Sequence, residues 1–111
     1  MKTVKIIIVA VLAIVITSTV YSQSVTTKTE TIKVSGNCDM CKARIEKAAK
    51  IDGVSKAEWS KKDKTLAATF DPAKTNIDEI GKKVAAAGHD TEKAKADDKV
   101  YAKLPGCCQY R

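Results

Sequence analysis

Aromatic side chains are scarce in this chain: one Trp, three Tyr and one Phe in 111 residues. None is interleaved with a basic stripe, so no platform for stacking nucleic-acid bases is present. Acidic residues are missing from the whole N-terminal stretch, and the first is Glu30. No apolar run reaches the ~20 residues that span a bilayer, and no internal repeat is found. There is a single histidine, His89, and there are two prolines, Pro72 and Pro105. Neither proline sits where the substrate-facing cis-proline of a thioredoxin-like enzyme would be expected.

What the N-terminus does have is a basic start, Met1 to Lys5, followed by the apolar run Ile6–Ile16 and by small residues around Ser22. This pattern reads as a secretory signal peptide over residues 1–22, cleaved after Ser22. The alternative is a membrane anchor formed by residues 6–20. No cysteine near the cut offers a site for a lipid. Cleavage would remove Lys2 and Lys5 and lower the formal charge from +7 to +5. The expected location is periplasmic or secreted, with no stable membrane insertion after processing. A mixed, mildly basic surface favours solubility or an acidic protein partner over nucleic acid.

The remaining length suits one small domain. Residues 23–29 form a polar lead. Glu30 to Ser35 alternates, with Ile32 and Val34 on one face, which predicts a strand. From Asp39 to Ile51, Cys41, Ile45, Ala48 and Ala49 make a helical stripe, with Lys42, Arg44, Glu46, Lys47 and Lys50 facing outward. Gly53 ends this helix. Residues 54–70 read as a hairpin, with Trp59 in the core or on the hairpin surface. Thr75-x-x-Asp78 resembles a capping box and opens a second amphipathic helix through Ile77, Ile80, Val84 and Ala87, closed by Gly88. His89 to Lys95 reads as a short edge strand, and Asp97 to Leu104 as one or two helical turns. The expected fold is α+β: a ferredoxin-like βαββαβ sandwich with two helices on one face of a four-stranded antiparallel sheet. Residues 30–95 form the domain and 96–111 a C-terminal extension.

All four cysteines fall in two pairs, Cys38/Cys41 and Cys107/Cys108. A disulfide within Cys-x-x-Cys closes too small a loop to staple a fold, and adjacent cysteines are strained as one. Cys38-Asp39-Met40-Cys41, between a strand and a helix start, instead suits metal chemistry. Soft thiolates select Cu(I), Hg(II) or Zn(II) over hard cations, and the helix N-terminus favours the thiolate. Two ligands do not complete the tetrahedron of structural zinc, so Cu(I) is the first choice and Hg(II) or Zn(II) the alternatives. The competing readings are a periplasmic thiol–disulfide oxidoreductase using the same pair, and a disulfide domain without metal. Met40 reads as loop packing before soft ligand, and the lysine-rich helix face as solvated before docking.

Cys38-Asp39-Met40-Cys41, Ile45, Ile51-Asp52-Gly53-Val54, Ala57, Trp59, Phe70-Asp71-Pro72, Thr75, Ile80 and Ala87-Gly88 together resemble the heavy-metal-associated domain family, over about residues 30–95. Where that family usually carries Gly-Met-Thr-Cys, this chain has Ser35-Gly36-Asn37-Cys38. The resemblance implies a carrier rather than an enzyme. Cys38 and Cys41 would be the metal ligands. The ion would pass by thiol exchange to a metal-transporting ATPase or another cysteine-bearing metal protein. It also places His89 beside the metal loop, as a third ligand or as a donor behind the ligands. Cys107 and Cys108 lie outside the family core and are candidates for additional ligands, for a disulfide with Cys38 or Cys41, or for an idle pair.

Overall fold

The computed structural model describes residues 26–111. The proposed signal peptide, residues 1–22, lies outside the described residues. Three strands form an antiparallel sheet: β1 (Lys28–Lys33), β2 (Val54–Ser60) and β3 (Thr65–Phe70), in the order β1-β3-β2. β1 begins ahead of the expected Glu30 and takes in Lys28 and Thr29. The register sets Ile32 and Trp59 on either side of Leu66, and Ala57 beside Ala68. Period-two alternation therefore carries Ile32, Trp59, Leu66, Ala68 and Phe70 to one buried face. The opposite face is polar, with Thr29 and Thr69 hydroxyls 2.8 Å apart, as suits an antiparallel sheet open to water on one side.

Helix α1 (Asp39–Ala49) and helix α2 (Ile77–Ala86) cover the buried face. Cys41, Ile45 and Ala49 from α1 and Ile80 and Val84 from α2 join the sheet residues in one core. Helix α1 ends before Gly53, whose φ of 93° belongs to glycine, and a Cβ there would come within 2.7 Å of the Lys74 Cβ. Helix α2 is capped by Asn76 and not by Thr75: the Asn76 Oδ1 accepts the Glu79 amide at 2.9 Å.

The expected fourth strand is absent among the described residues. In its place a single antiparallel bridge joins Val34 to Thr91. Hydrogen bonds at Ser35 N to Asp90 O (2.8 Å) and Glu92 N to Lys33 O (3.1 Å) flank it. The ladder stops because Thr91 turns the chain. Its amide bonds to the Ala94 carbonyl at 2.8 Å, and its hydroxyl accepts the Lys93 and Ala94 amides. The Glu92 carboxylate then accepts the Lys33 amide at 2.9 Å, where another strand's carbonyl would be needed.

Beyond it, helix α3 (Asp98–Ala102) starts at an Asp97 cap, and a 3₁₀ turn spans Gly106–Cys108. This segment does not stand apart from the domain: Leu104 and Cys108 are buried members of the core. Leu104 packs against Gly88 so closely that a Cβ on Gly88 would lie 2.9 Å from the Leu104 Cδ2. No helix among the described residues is long and apolar enough to cross a membrane.

Candidate metal centre

The loop leaving β1 is held from three sides. Trp59 packs against it: the ring donates through Nε1 to the Val34 carbonyl at 3.0 Å. A Cβ on Gly36 would sit 2.9 Å from Trp59 Cζ2, so only glycine lets the loop lie this close. Lys64, at the β2–β3 turn with φ of 58°, donates to the Gly36 carbonyl at 2.6 Å. His89, fully buried, donates through Nδ1 to the Ser35 carbonyl at 2.9 Å. An oxygen acceptor there assigns the proton to Nδ1. Glu46 ties α1 to β2, accepting both the Lys42 ammonium (2.8 Å) and the Trp59 amide (2.9 Å).

Cys38 occupies the N-cap of α1 in extended geometry, where Ser, Thr, Asp or Asn would ordinarily supply an oxygen. Cys41 lies on the first helical turn, buried against the core. Their sulfurs are 3.4 Å apart. The Cys41 backbone amide stabilises negative charge on Cys38 and, outweighing desolvation, holds its pKa at about 6. Burial pushes Cys41 up to about 11. The pair therefore surrenders its first proton at the half-buried Cys38 and retains the second at the buried Cys41. All four cysteines are free thiols.

The C-terminal pair divides. Cys108 is fully buried, with its sulfur 3.5 Å from that of Cys38. Among the described residues, the one group of converging ligand atoms is Cys38, Cys41 and Cys108, all within 4.8 Å of one another. Cys107 is exposed, its sulfur 3.7 Å from the Met40 thioether and 3.8 Å from the Cys108 sulfur. Met40 is itself exposed and does not pack into the loop. His89 is outside the converging group; burial lowers its pKa, and its Nε2 has no partner. Arg44, expected to face outward, instead reaches beside the Cys108 thiol with a buried, unpartnered Nη1. Lys64 and Trp59 both fall in the segment 54–70 that the sequence reads as a hairpin, and no local signal marks either as a support of the loop.

A groove of about 500 Å³ opens beside the loop, along Ser35, Gly36, Asn37, Lys64, Asp90 and Tyr110, but no sulfur lines it. The sulfurs of Cys38, Cys41 and Cys108 instead gather against one another.

No family model matches the chain. It is similar to the mercuric transport protein periplasmic component of Pseudomonas fluorescens, 37% identical over 65 residues, covering 57% of this chain and 71% of that protein. Among solved structures it is similar to oxidized MerP from Ralstonia metallidurans CH34: 35% identity, TM-score 0.56, 60% of this chain and 96% of that one. A copper-binding domain from HMA7, a P-type ATPase, matches with 26% identity and TM-score 0.56, over 58% of this chain and 89% of that one.

Proposed function

Because the chain belongs to the heavy-metal-associated domain family, we propose that it is an exported carrier or scavenger of a soft metal ion, held by Cys38 and Cys41. The observation that carries this is the 3.4 Å approach of two free sulfurs at a helix N-terminus, one of them acidic enough to be a thiolate at neutral pH. The Cys38 thiolate captures the cation first. The bound cation then displaces the Cys41 proton to solvent, and the second thiolate closes on it. Cys38, the more exposed of the two, is the ligand a partner's thiol exchanges against. Cu(I) is favoured because this soft, singly charged ion is satisfied by few thiolates, and the names of relatives keep Hg(II) beside it; Zn(II) wants more ligands than this pair supplies. The receiving partner is a metal-transporting ATPase domain or another cysteine-bearing metal protein. The periplasmic relatives support export, as does the N-terminal pattern of residues 1–22.

Native mass spectrometry of the reduced protein with Cu(I), Hg(II) and Zn(II) tests this. One Cu(I) per chain is expected, and none in the Cys38→Ser, Cys41→Ser double variant. Equal uptake by the variant would remove the reading.

The acidity of Cys38 next to a second thiol also favours a thiol–disulfide oxidoreductase. That reading expects catalytic reduction of insulin disulfides by the metal-free protein; the carrier reading expects none above a small-thiol control.

A further inference from the structure

Resting on the assignment of Cys38 and Cys41 as ligands, we propose that Cys108 is a third ligand, so that the C-terminal tail closes the centre into a trigonal three-thiolate cage. Three sulfurs bound in a plane to one ion at about 2.3 Å would stand ~4 Å apart. The three sulfurs here already lie within 4.8 Å of one another, with Cys38 at 3.4 and 3.5 Å from the other two. A cation needs only a small adjustment of side chains to bind all three.

The tail is fastened so that Cys108 faces the site. Asn37, next to the first ligand, donates through Nδ2 to the Gln109 carbonyl at 3.1 Å, tying the metal loop to the tail. The Tyr110 hydroxyl accepts the Asp90 amide (2.7 Å) and donates to the Gly88 carbonyl (2.9 Å). Arg111 pairs with Asp90 at 2.9 Å and Asp98 at 2.7 Å, and its amide donates to the Tyr101 hydroxyl at 2.7 Å. The 3₁₀ turn keeps the adjacent sulfurs 3.8 Å apart but buries only one: Cys108 lies inside against Cys38, while Cys107 stays exposed beside Met40.

A buried cysteine can be mere packing, but the surroundings of this one are not apolar. The Arg44 guanidinium stands beside it with a buried N–H that has no acceptor. Three thiolates around Cu(I) or Hg(II) carry net negative charge, and a thiolate accepts from a guanidinium strongly. Metal binding would thus give Arg44 the acceptor it lacks. The step is a substitution without change of oxidation state: each thiol still protonated releases its proton to solvent as its sulfur bonds the cation.

X-ray absorption at the copper edge, on the reduced full chain loaded with one Cu(I), reads the sulfur count directly. Wild type and Cys107→Ser should show three sulfurs. Cys108→Ser should show two, at shorter distance, with one Cu(I) still bound. Two sulfurs in wild type, with a spectrum matching Cys108→Ser, would overturn the proposal; the wild-type count decides alone if the serine variant fails to fold. Binding that survives the Cys38→Ser, Cys41→Ser change, or is absent from wild type, strikes the underlying two-cysteine assignment as well, which keeps the two failures apart.

Discussion

The loop that carries Cys38 and the tail that carries Cys108 reach the same point by different means. The loop is set by the core: Trp59, with 1% of its surface exposed, supports it from below, and α1 fixes Cys41 by burying the same turn. The tail is set by polar ties near the surface, the Tyr110 hydroxyl and the Arg111 ion pairs. A site built half on core packing and half on a polar latch should respond unequally to damage. Removing core atoms should unfold the domain and the site together. Cutting the latch should free one ligand and leave the other two in place.

Trp59→Ala should therefore have the largest effect, a loss of ~3–5 kcal/mol in urea unfolding, because a large buried ring and its bond to Val34 O disappear at once. Gly36→Ala attacks the same contact from above. The new methyl would meet the Trp59 ring at 2.9 Å and the Cys41 Cβ at 3.2 Å, so overpacking should cost ~1–3 kcal/mol and displace Cys41. If either variant leaves both the urea midpoint and metal uptake unchanged, the loop does not depend on the core as described.

This inequality also explains what could be read from the sequence. The strands around Ile32, Trp59 and Leu66 follow from alternation, and α2 from the spacing of Ile77, Ile80 and Val84, because these patterns are local. The fourth strand failed because a single side chain, Thr91, folds the segment into a turn. The Thr75 box yielded to Asn76 one residue later, a shift that propensity does not resolve. Helical period assigns Arg44 to the solvated face because it ignores what another segment lays over that face. The pairing of Cys38 with Cys108 spans 70 residues, and no periodicity encodes such a contact. The Cys-x-x-Cys motif marks a candidate site and the tail pair offers further ligands, but the sequence leaves open whether Cys107, Cys108 or neither reaches back to it.

Within the loop, the two cysteines can be separated by reactivity. Cys38, held at about 6 by the Cys41 amide, should reach half its maximal alkylation rate near pH 6 in the reduced, metal-free protein. Cys41, buried and pushed up to about 11, should stay unmodified through neutral pH. Mass mapping of iodoacetamide adducts against pH reads both. Equal labelling of the two would show that the helix terminus does not distinguish them.

The smallest effect tests the latch. Burial acts to raise the pKa of Asp90, but the Arg111 hydrogen bonds, the Ala96 amide and the charges of Arg111 and Lys95 together outweigh it and hold the carboxyl below its ordinary value of 3.8. A carboxyl whose folded pKa is depressed stabilises the fold above its unfolded pKa, and that contribution is lost as pH falls through the folded value. The latch is thus intact at neutral pH and opens in acid, below the usual carboxylate range. Because the pair is only partly buried, it contributes ~1 kcal/mol or less. Arg111→Ala should lower the urea midpoint slightly at pH 7 and converge with wild type in acid, while wild type alone loses this increment on acidification. At neutral pH the same variant should expose Cys108 to alkylation, with Trp59 fluorescence unchanged. A Cys108 that stays protected would mean that core contacts such as Leu104 against Gly88, and not the ion pairs, hold the third sulfur in place.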